Sequence, residues 1–287
     1  MQIRQYSIVL PIRNEAQSIE AFFSLRMPLY QKFLNKSEVS KFIFITPRDS
    51  IELIQSHCQN VTFPCQVISD DQYIEPSLVS ERGWYKQQLI KLLISESIDT
   101  EHYLLIDDDL FLTQPLRYSD MIVNDKIVYS NEAWTNNGPD FATNSRWWIG
   151  SCNLLDYDIN HIIKAKANMG VTPQLMITSD VRSMILSLQE KYGKSWKKTF
   201  IDYGATEYAS YWIYLLKNNK DALYTPIGKK MFEMDHSRNV LNAGLNLDQV
   251  RCIVSNSFID KSQFFSVVQS WIGYDSAWYS DIIKRII

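Results

Sequence analysis

An α/β fold is predicted for this chain of 287 residues: a mostly parallel sheet flanked by helices, with a helical C-terminal extension. Three observations predict it. Apolar runs at residues 6–11, 42–46 and 103–106 lack polar alternation, as strands buried on both faces do. The stretches between them repeat apolar residues at helical spacing, which gives a β-α-β order. The third run ends in Asp107-Asp108-Asp109, at the strand terminus beyond which open parallel sheets bind ligands.

Composition narrows the class. A hydrophobic content of 46% and an aromatic content of 13% exclude a disordered chain. Eight Trp and sixteen Tyr either fill cores or stack on sugars and bases. A net charge of −3 and a pI near 5.9 provide no broad basic field, which argues against nucleic acid as the main partner. Cys58, Cys65, Cys152 and Cys252 form no CxxC pair, so neither a zinc knuckle nor a disulfide framework is expected, and a reducing compartment fits. The first residues carry no basic-then-apolar leader pattern, and no apolar run approaches the roughly 20 residues of a spanning helix. The expectation is a cytoplasmic protein.

The first strand, 6–11, stops at Pro11, which cannot donate to a ladder. Arg13, Asn14 and Glu15 form a polar loop, and residues 11–18 contain no glycine, so dinucleotide and P-loop phosphate cradles are excluded. Helical spacing at Ile19, Phe22, Phe23 and Leu25 leads to the second strand, 42–46, closed by Pro47. A short helix at 50–56 precedes a third strand, 65–68, ending in Ser69-Asp70-Asp71 on the same sheet edge. There Asp70 either holds the base or ribose of a nucleotide or simply turns the chain. The helix at 83–93 has an apolar stripe of Tyr85, Leu89, Leu92 and Leu93. Trp84, Lys86, Gln87 and Lys91 fall on other faces; the basic and amide groups either approach phosphates or, for the two lysines, lie on a solvated face.

The acidic triplet follows. In extended backbone Asp107 and Asp109 share a face and Asp108 points away. Three adjacent carboxylates repel one another, and a hard divalent cation clamping a diphosphate relieves that repulsion. The competing reading, a solvated capping turn, sits poorly with the immediate return to Leu110-Phe111-Leu112.

Beyond it, residues 126–130 read as a strand and 131–148 as a long irregular stretch with Trp134, Asn136, Asn137, Gly138, Asp140, Trp147 and Trp148. Such a stretch suits carbohydrate contacts, with core packing the alternative for each tryptophan. Helices are expected at 162–167 and from Ser179, with Met184, Ile185 and Leu188 inside. Thr206 caps a helix whose Tyr208, Tyr211, Trp212 and Leu215 share one side. Glu207, in its first turn, is either a base kept ionised by the helix dipole or a carboxylate that only compensates it. A late strand at 222–226 leads to His236, beside Asp235 and Arg238. Its imidazole either completes the coordination of a metal held by Asp109 or is an ordinary surface residue. From Ser262 on the chain reads as helical and aromatic, packing on the sheet domain or lying on a membrane surface.

These residues resemble nucleotide-sugar glycosyltransferases of the GT-A (Rossmann-like) fold. The likeness lies in Ser7-Ile8-Val9-Leu10-Pro11 with Asn14-Glu15 after it, and in Asp107-Asp108-Asp109 behind an apolar strand. More narrowly, Gly83-Trp84-Tyr85-Lys86-Gln87-Gln88-Leu89, the triplet with Phe111 and Pro115, and Thr206-Glu207-Tyr208 resemble a bacterial family of unknown function found with surface or capsular polysaccharide genes. The pieces span residues 6–240.

The resemblance implies a sugar transferred from a UDP-, GDP- or CMP-sugar to a hydroxyl of an oligosaccharide, polysaccharide or lipid-linked glycan; inversion is expected where a carboxylate deprotonates the acceptor, whereas a retaining transfer needs no such base. It implies Mn²⁺ or Mg²⁺ held by Asp107, Asp109 and His236. Donor binding falls to Pro11, Arg13, Asn14, Asp70, Lys86, Gln87, Asp107 and Asp108, and catalysis to Glu207 and Asp109. Residues 1–245 form the catalytic domain, with a nucleotide-binding half to residue 115 and an acceptor half from 116; residues 246–287 pack on it. The place of action is the cytoplasm, including the inner face of the membrane. One departure is that no Gly-rich acceptor segment precedes Glu207. Two rivals fare worse: a sugar nucleotidyltransferase needs a glycine-rich basic first loop, and a non-catalytic carbohydrate-binding protein leaves the triplet unexplained.

Overall fold

The apolar runs become neighbouring strands because each buries both faces. In the computed structural model, which describes residues 4–74, 78, 83–132, 141–165, 168–233 and 235–287, β1 (Tyr6–Pro11) pairs in parallel with both β2 (Val39–Thr46) and β4 (His102–Leu105). Parallel β3 (Cys65–Ser69) extends the sheet beyond β2, and β10 (Gln174–Ile177) adds antiparallel beside β4. The spatial order is therefore β10-β4-β1-β2-β3. The chain reverses its direction of travel across the sheet between β1 and β4, and such a switch point opens a crevice at the carboxyl strand ends. Pro11 and the triplet border that crevice.

The remaining pairs are short. β5 (Leu110–Leu112) pairs with β12 (Phe265–Val267), β6 (Ile122–Val123) and β11 (Tyr224–Thr225) flank β7 (Lys126–Val128), and β8 (Asn131–Glu132) pairs with β9 (Asn168–Met169). Helices α1 (Ala16–Ala21) and α2 (Met27–Phe33) join through a widened π turn at Phe22–Arg26. There the Phe22 ring meets Phe42 and Phe44 of β2. α3 (Ile51–Cys58) precedes β3, and α4 (Gly83–Leu93) packs against β1, α7 (Thr178–Tyr192) and α9 (Glu207–Lys217). α5 (Phe141–Leu155) lies along α9, with α6 (Ile159–Lys164) and α8 (Trp196–Asp202) beside it. α10 (Leu247–Ile259) and α11 (Ser280–Ile286) close the chain.

Four expectations change. The single run 103–112 is two strands, because the sheet ends at Leu105 and β5 takes β12 as its partner. The stretch 131–148 ends in α5, whose Trp147 and Trp148 are helical; Trp134, Asn136, Asn137, Gly138 and Asp140 lie outside the described residues. The strand predicted at 222–226 shortens to β11. The segment after Ser262 first forms a strand, β12, because its apolar residues pair with the edge left open by β5. Of its later side chains, Tyr279 and Ile283 are buried and Tyr274, Trp278, Ile282 and Ile286 are partly buried against them. Phe111, Val250, Val254, Phe258 and Ile283 form one buried cluster, against which Trp278, Ile282 and Ile286 pack. Among the described residues no helix is long and apolar enough to cross a membrane.

Gly150 sets how closely α5 approaches the loop before α9. A Cβ there would stand 2.2 Å from the Tyr203 carbonyl oxygen. Gly150→Ala is expected to lower stability by about 1–3 kcal/mol, read as a shifted denaturant midpoint at unchanged m-value.

Candidate active site

The β4 ladder runs one residue past its strand, with Ile106 N donating to Val9 O at 3.0 Å, and then breaks. Three carboxylates cannot follow into the interior unpaired. The chain turns instead, Leu110 N donating to Asp107 O at 3.3 Å. The alternation expected of extended backbone fails in this turn, and Asp107, Asp108 and Asp109 all line one cavity of about 440 Å³.

Each carboxylate has a separate environment. Asp107 Oδ1 is 2.8 Å from Lys91 Nζ, and the same ammonium donates to Glu207 Oε1 at 2.9 Å. Lys91 also stands 5.4 Å from the centre of the Tyr208 ring. Burial pulls the Lys91 pKa down, but Asp107 and Glu207 more than offset this and raise it. Burial pushes the Glu207 carboxyl up against the opposing pull of Lys91, and its Oε2 is buried with no hydrogen-bond partner. Asp109 is fixed from the C-terminal segment, its Oδ2 accepting from Ser270 N at 3.1 Å, while burial and then Asp107 raise its pKa. Burial, and next the neighbouring Asp109, push Asp108 up to about 7, and its Oδ2 lacks a partner. Arg26, buried in the π turn and hydrogen-bonded to Tyr279 Oη at 3.2 Å, opposes both of those shifts.

A second lobe of about 390 Å³ opens at the ends of β1, β2 and β3. Pro11, Arg13 and Asn14 line it, with Asp70 and Lys86 paired at 2.6 Å. Arg13, Trp84 and Gln87 border both lobes, so the two form one cleft. All the predicted donor-binding residues thus face this cleft, and Glu207 and Asp109 lie together in the larger lobe.

His236 is not brought to it. The residue is exposed, its Nδ1 lies 3.3 Å from Asn242 Nδ2, and it lines neither lobe. Its turn is organised instead by Arg238, which pairs with Asp235 and, at 2.8 Å, with Asp260. Among the described residues no group of three or more His, Cys, Asp or Glu is placed to hold a metal ion. The triplet nevertheless suits one of the hard cations that take one or two protein carboxylates and complete their shell with water and substrate phosphate. It offers clustered carboxylates, one with a buried oxygen that has no partner.

Thr206 occupies the N-cap position with extended backbone, but its side chain makes no cap bond. Its N–H donates to Ser151 Oγ of α5 at 3.2 Å. Sequence reasoning missed Arg26 and Ser270, and for Lys91 it offered phosphates or solvent rather than the two carboxylates the lysine joins. For Lys91 a signal existed, a lone cation inside Leu89-Ile90-Lys91-Leu92-Leu93; for Arg26 and Ser270 it did not, since both meet the triplet only through long-range packing.

The fold is a mixed α/β one, a parallel-rich central sheet flanked by helices with the cleft at its carboxyl edge. The structure is similar to that of mouse xyloside xylosyltransferase 1 in its apo form, with a TM-score of 0.51 and 12% identity, over 94% of this chain and 100% of that one. The chain belongs to DUF6492, a family of unknown function whose model matches residues 3–286. Comparison with curated proteins finds no match.

Two outcomes follow from the charges. Lys91→Met leaves Asp107 and buried Glu207 uncompensated and is expected to cost about 3–5 kcal/mol, with part of the loss recovered in Lys91→Met/Glu207→Gln; urea unfolding reads both. Because the folded pKa of Asp108 lies above that of an exposed carboxylate, stability falls as pH rises from about 4 to about 7. Asp108→Asn removes a few kcal/mol of that decline, seen in unfolding midpoints measured in chelator across this range.

Proposed function

We propose that the protein is a metal-dependent glycosyltransferase that moves a sugar from a nucleotide-sugar donor to a hydroxyl of a glycan acceptor. The observation that carries this reading is the cleft itself. A lobe with a buried Asp70–Lys86 pair opens into one where three aspartates and Glu207 converge. The first lobe suits a nucleoside, with Asp70 accepting from ribose or base and Lys86 and Arg13 beside the phosphates. A divalent cation held by Asp109 and its neighbours supplies charge neutralisation for the departing diphosphate.

Glu207 is the proposed base. Its Oε1 is held by Lys91, while Oε2 has no partner and a pKa raised by burial, which suits proton uptake from an acceptor hydroxyl. Lys91 orients that carboxylate and Asp107 at once. A base on the acceptor side gives inversion at the anomeric carbon: the acceptor oxygen bonds to it as the carbon–oxygen bond to the diphosphate breaks. His236 lies outside both lobes, so the cation is assigned to the carboxylates. The resemblance in residues 83–89 and the triplet supports a role in bacterial surface polysaccharide synthesis, with a lipid-linked or polymeric acceptor at the cytoplasmic face.

Thermal shift against UDP, GDP and CMP with and without Mn²⁺ is expected to show one nucleotide that stabilises strongly only with metal. With the matching nucleotide sugar, Asp109→Ala is expected to lose about a hundredfold or more in turnover. Full activity in that variant with Mn²⁺ present would falsify the scheme.

A further inference from the structure

Two indoles on the wall of the larger lobe take no part in the transfer chemistry. Trp84 sits in the first turn of α4 with 39% of its surface exposed, whereas Leu89, Ile90, Leu92 and Leu93 of that helix are buried. Trp147 projects from α5, half-buried. Their rings stack with centroids 5.3 Å apart and planes 25° from parallel, and Tyr85 meets Trp84 edge-on at 5.0 Å. Both tryptophans line the lobe that holds the triplet and Glu207.

The pair is held in fixed relation to Glu207. α5 is locked to the chain before α9 by the close approach at Gly150 and by Ser151, whose Oγ takes a hydrogen bond from Thr206 N at 3.2 Å and another from Ser210 Oγ at 3.1 Å. Trp147 and the carboxylate one residue past Thr206 therefore belong to one rigid unit. An exposed aromatic surface beside charged groups is costly in water unless a ligand covers it. A pyranose ring has an apolar C–H face and a rim of hydroxyls. It can cover an indole face while its rim stays hydrated or reaches the carboxylates.

We propose that Trp84 and Trp147 form a stacking platform for a pyranose ring of the glycan acceptor, presenting the neighbouring hydroxyl to Glu207. The proposal rests on the transferase reading for its direction, since an acceptor must approach the base. A nucleobase is the less suitable occupant, because Trp147 borders only the triplet lobe and not the lobe of Asp70 and Lys86.

The test uses the intact chain and a panel of nitrophenyl mono- and disaccharides, titrated by intrinsic fluorescence in the presence of Mn²⁺ and the nucleotide that stabilises the protein. Acceptor-free hydrolysis of the nucleotide sugar is measured in parallel. Saturable binding by one glycoside is expected, weakened about tenfold or more in Trp147→Ala and Trp84→Ala, by analogy with aromatic stacking on bases. In Trp147→Ala, whose indole borders only the triplet lobe, nucleotide affinity and donor hydrolysis are expected to stay within about twofold of wild type, and Trp147→Phe to retain most of the glycoside binding. No saturable binding by any glycoside, or a loss confined to nucleotide affinity, overturns the platform. Intact glycoside binding without turnover of any nucleotide sugar overturns the transferase reading and leaves the platform standing. Equal melting temperatures for the Phe and Ala variants show that weakened binding is not misfolding.

Discussion

The constraint on which the site depends is the burial of carboxylates at the end of a central strand. Glu207 is 2% exposed and Asp108 is 8% exposed, and ions so placed survive only with a partner or with their proton retained. The protein uses both devices. Lys91 reaches from the last turn of α4 to bridge Asp107 and Glu207, which come from different parts of the chain. Asp108, with only Arg26 and Arg13 to oppose burial and its neighbouring aspartates, is left with a raised pKa and an oxygen without a partner. The surplus of negative charge that remains is what makes the cleft suited to a cation.

Around that centre, elements remote in sequence each supply one fixed group. The C-terminal segment is not an appendage to the sheet: β12 pairs with the strand leaving the triplet, and Ser270 N holds the Asp109 carboxylate. The π turn supplies Arg26, whose other partner, Tyr279, lies near the chain terminus. Such turns recur at functional sites because they displace a side chain from the regular helical register. Moving the C-terminal segment would therefore disturb both Asp109 and the arginine that opposes its pKa rise.

How legible this was depended on the range of the interaction involved. Pro11, the strand at 103–106 and the helical stripe of Tyr85, Leu89, Leu92 and Leu93 carry local periodicity, and they settled the sheet and its carboxyl edge. Asp107 and Asp109 stand out because carboxylates end an apolar strand, and Glu207 because it falls in the first turn of a helix, where the dipole favours a carboxylate. The expected alternation of the triplet was wrong because it assumed a strand where the chain turns. For Lys91 the sequence leaves phosphate or solvent as partners, because a helical wheel records which side a residue faces, not what packs there. β12 was missed because the strand it completes lies about 150 residues earlier in the chain, as the pairing of Phe265 with Leu112 shows.

By itself the sequence determined an α/β layering, the edge of the sheet at which charge collects, and the absence of a glycine phosphate cradle, since each follows from short-range pattern and steric rule. Only the tertiary structure decided which groups face one another: that one buried ammonium joins Asp107 to Glu207, that a backbone amide near the terminus fixes Asp109, that His236 stays at the surface, and that two tryptophans from separate helices stack. The physical reason is that burial and pairing are properties of position in space. A lysine in an apolar helix has no assigned partner until another helix brings one to it.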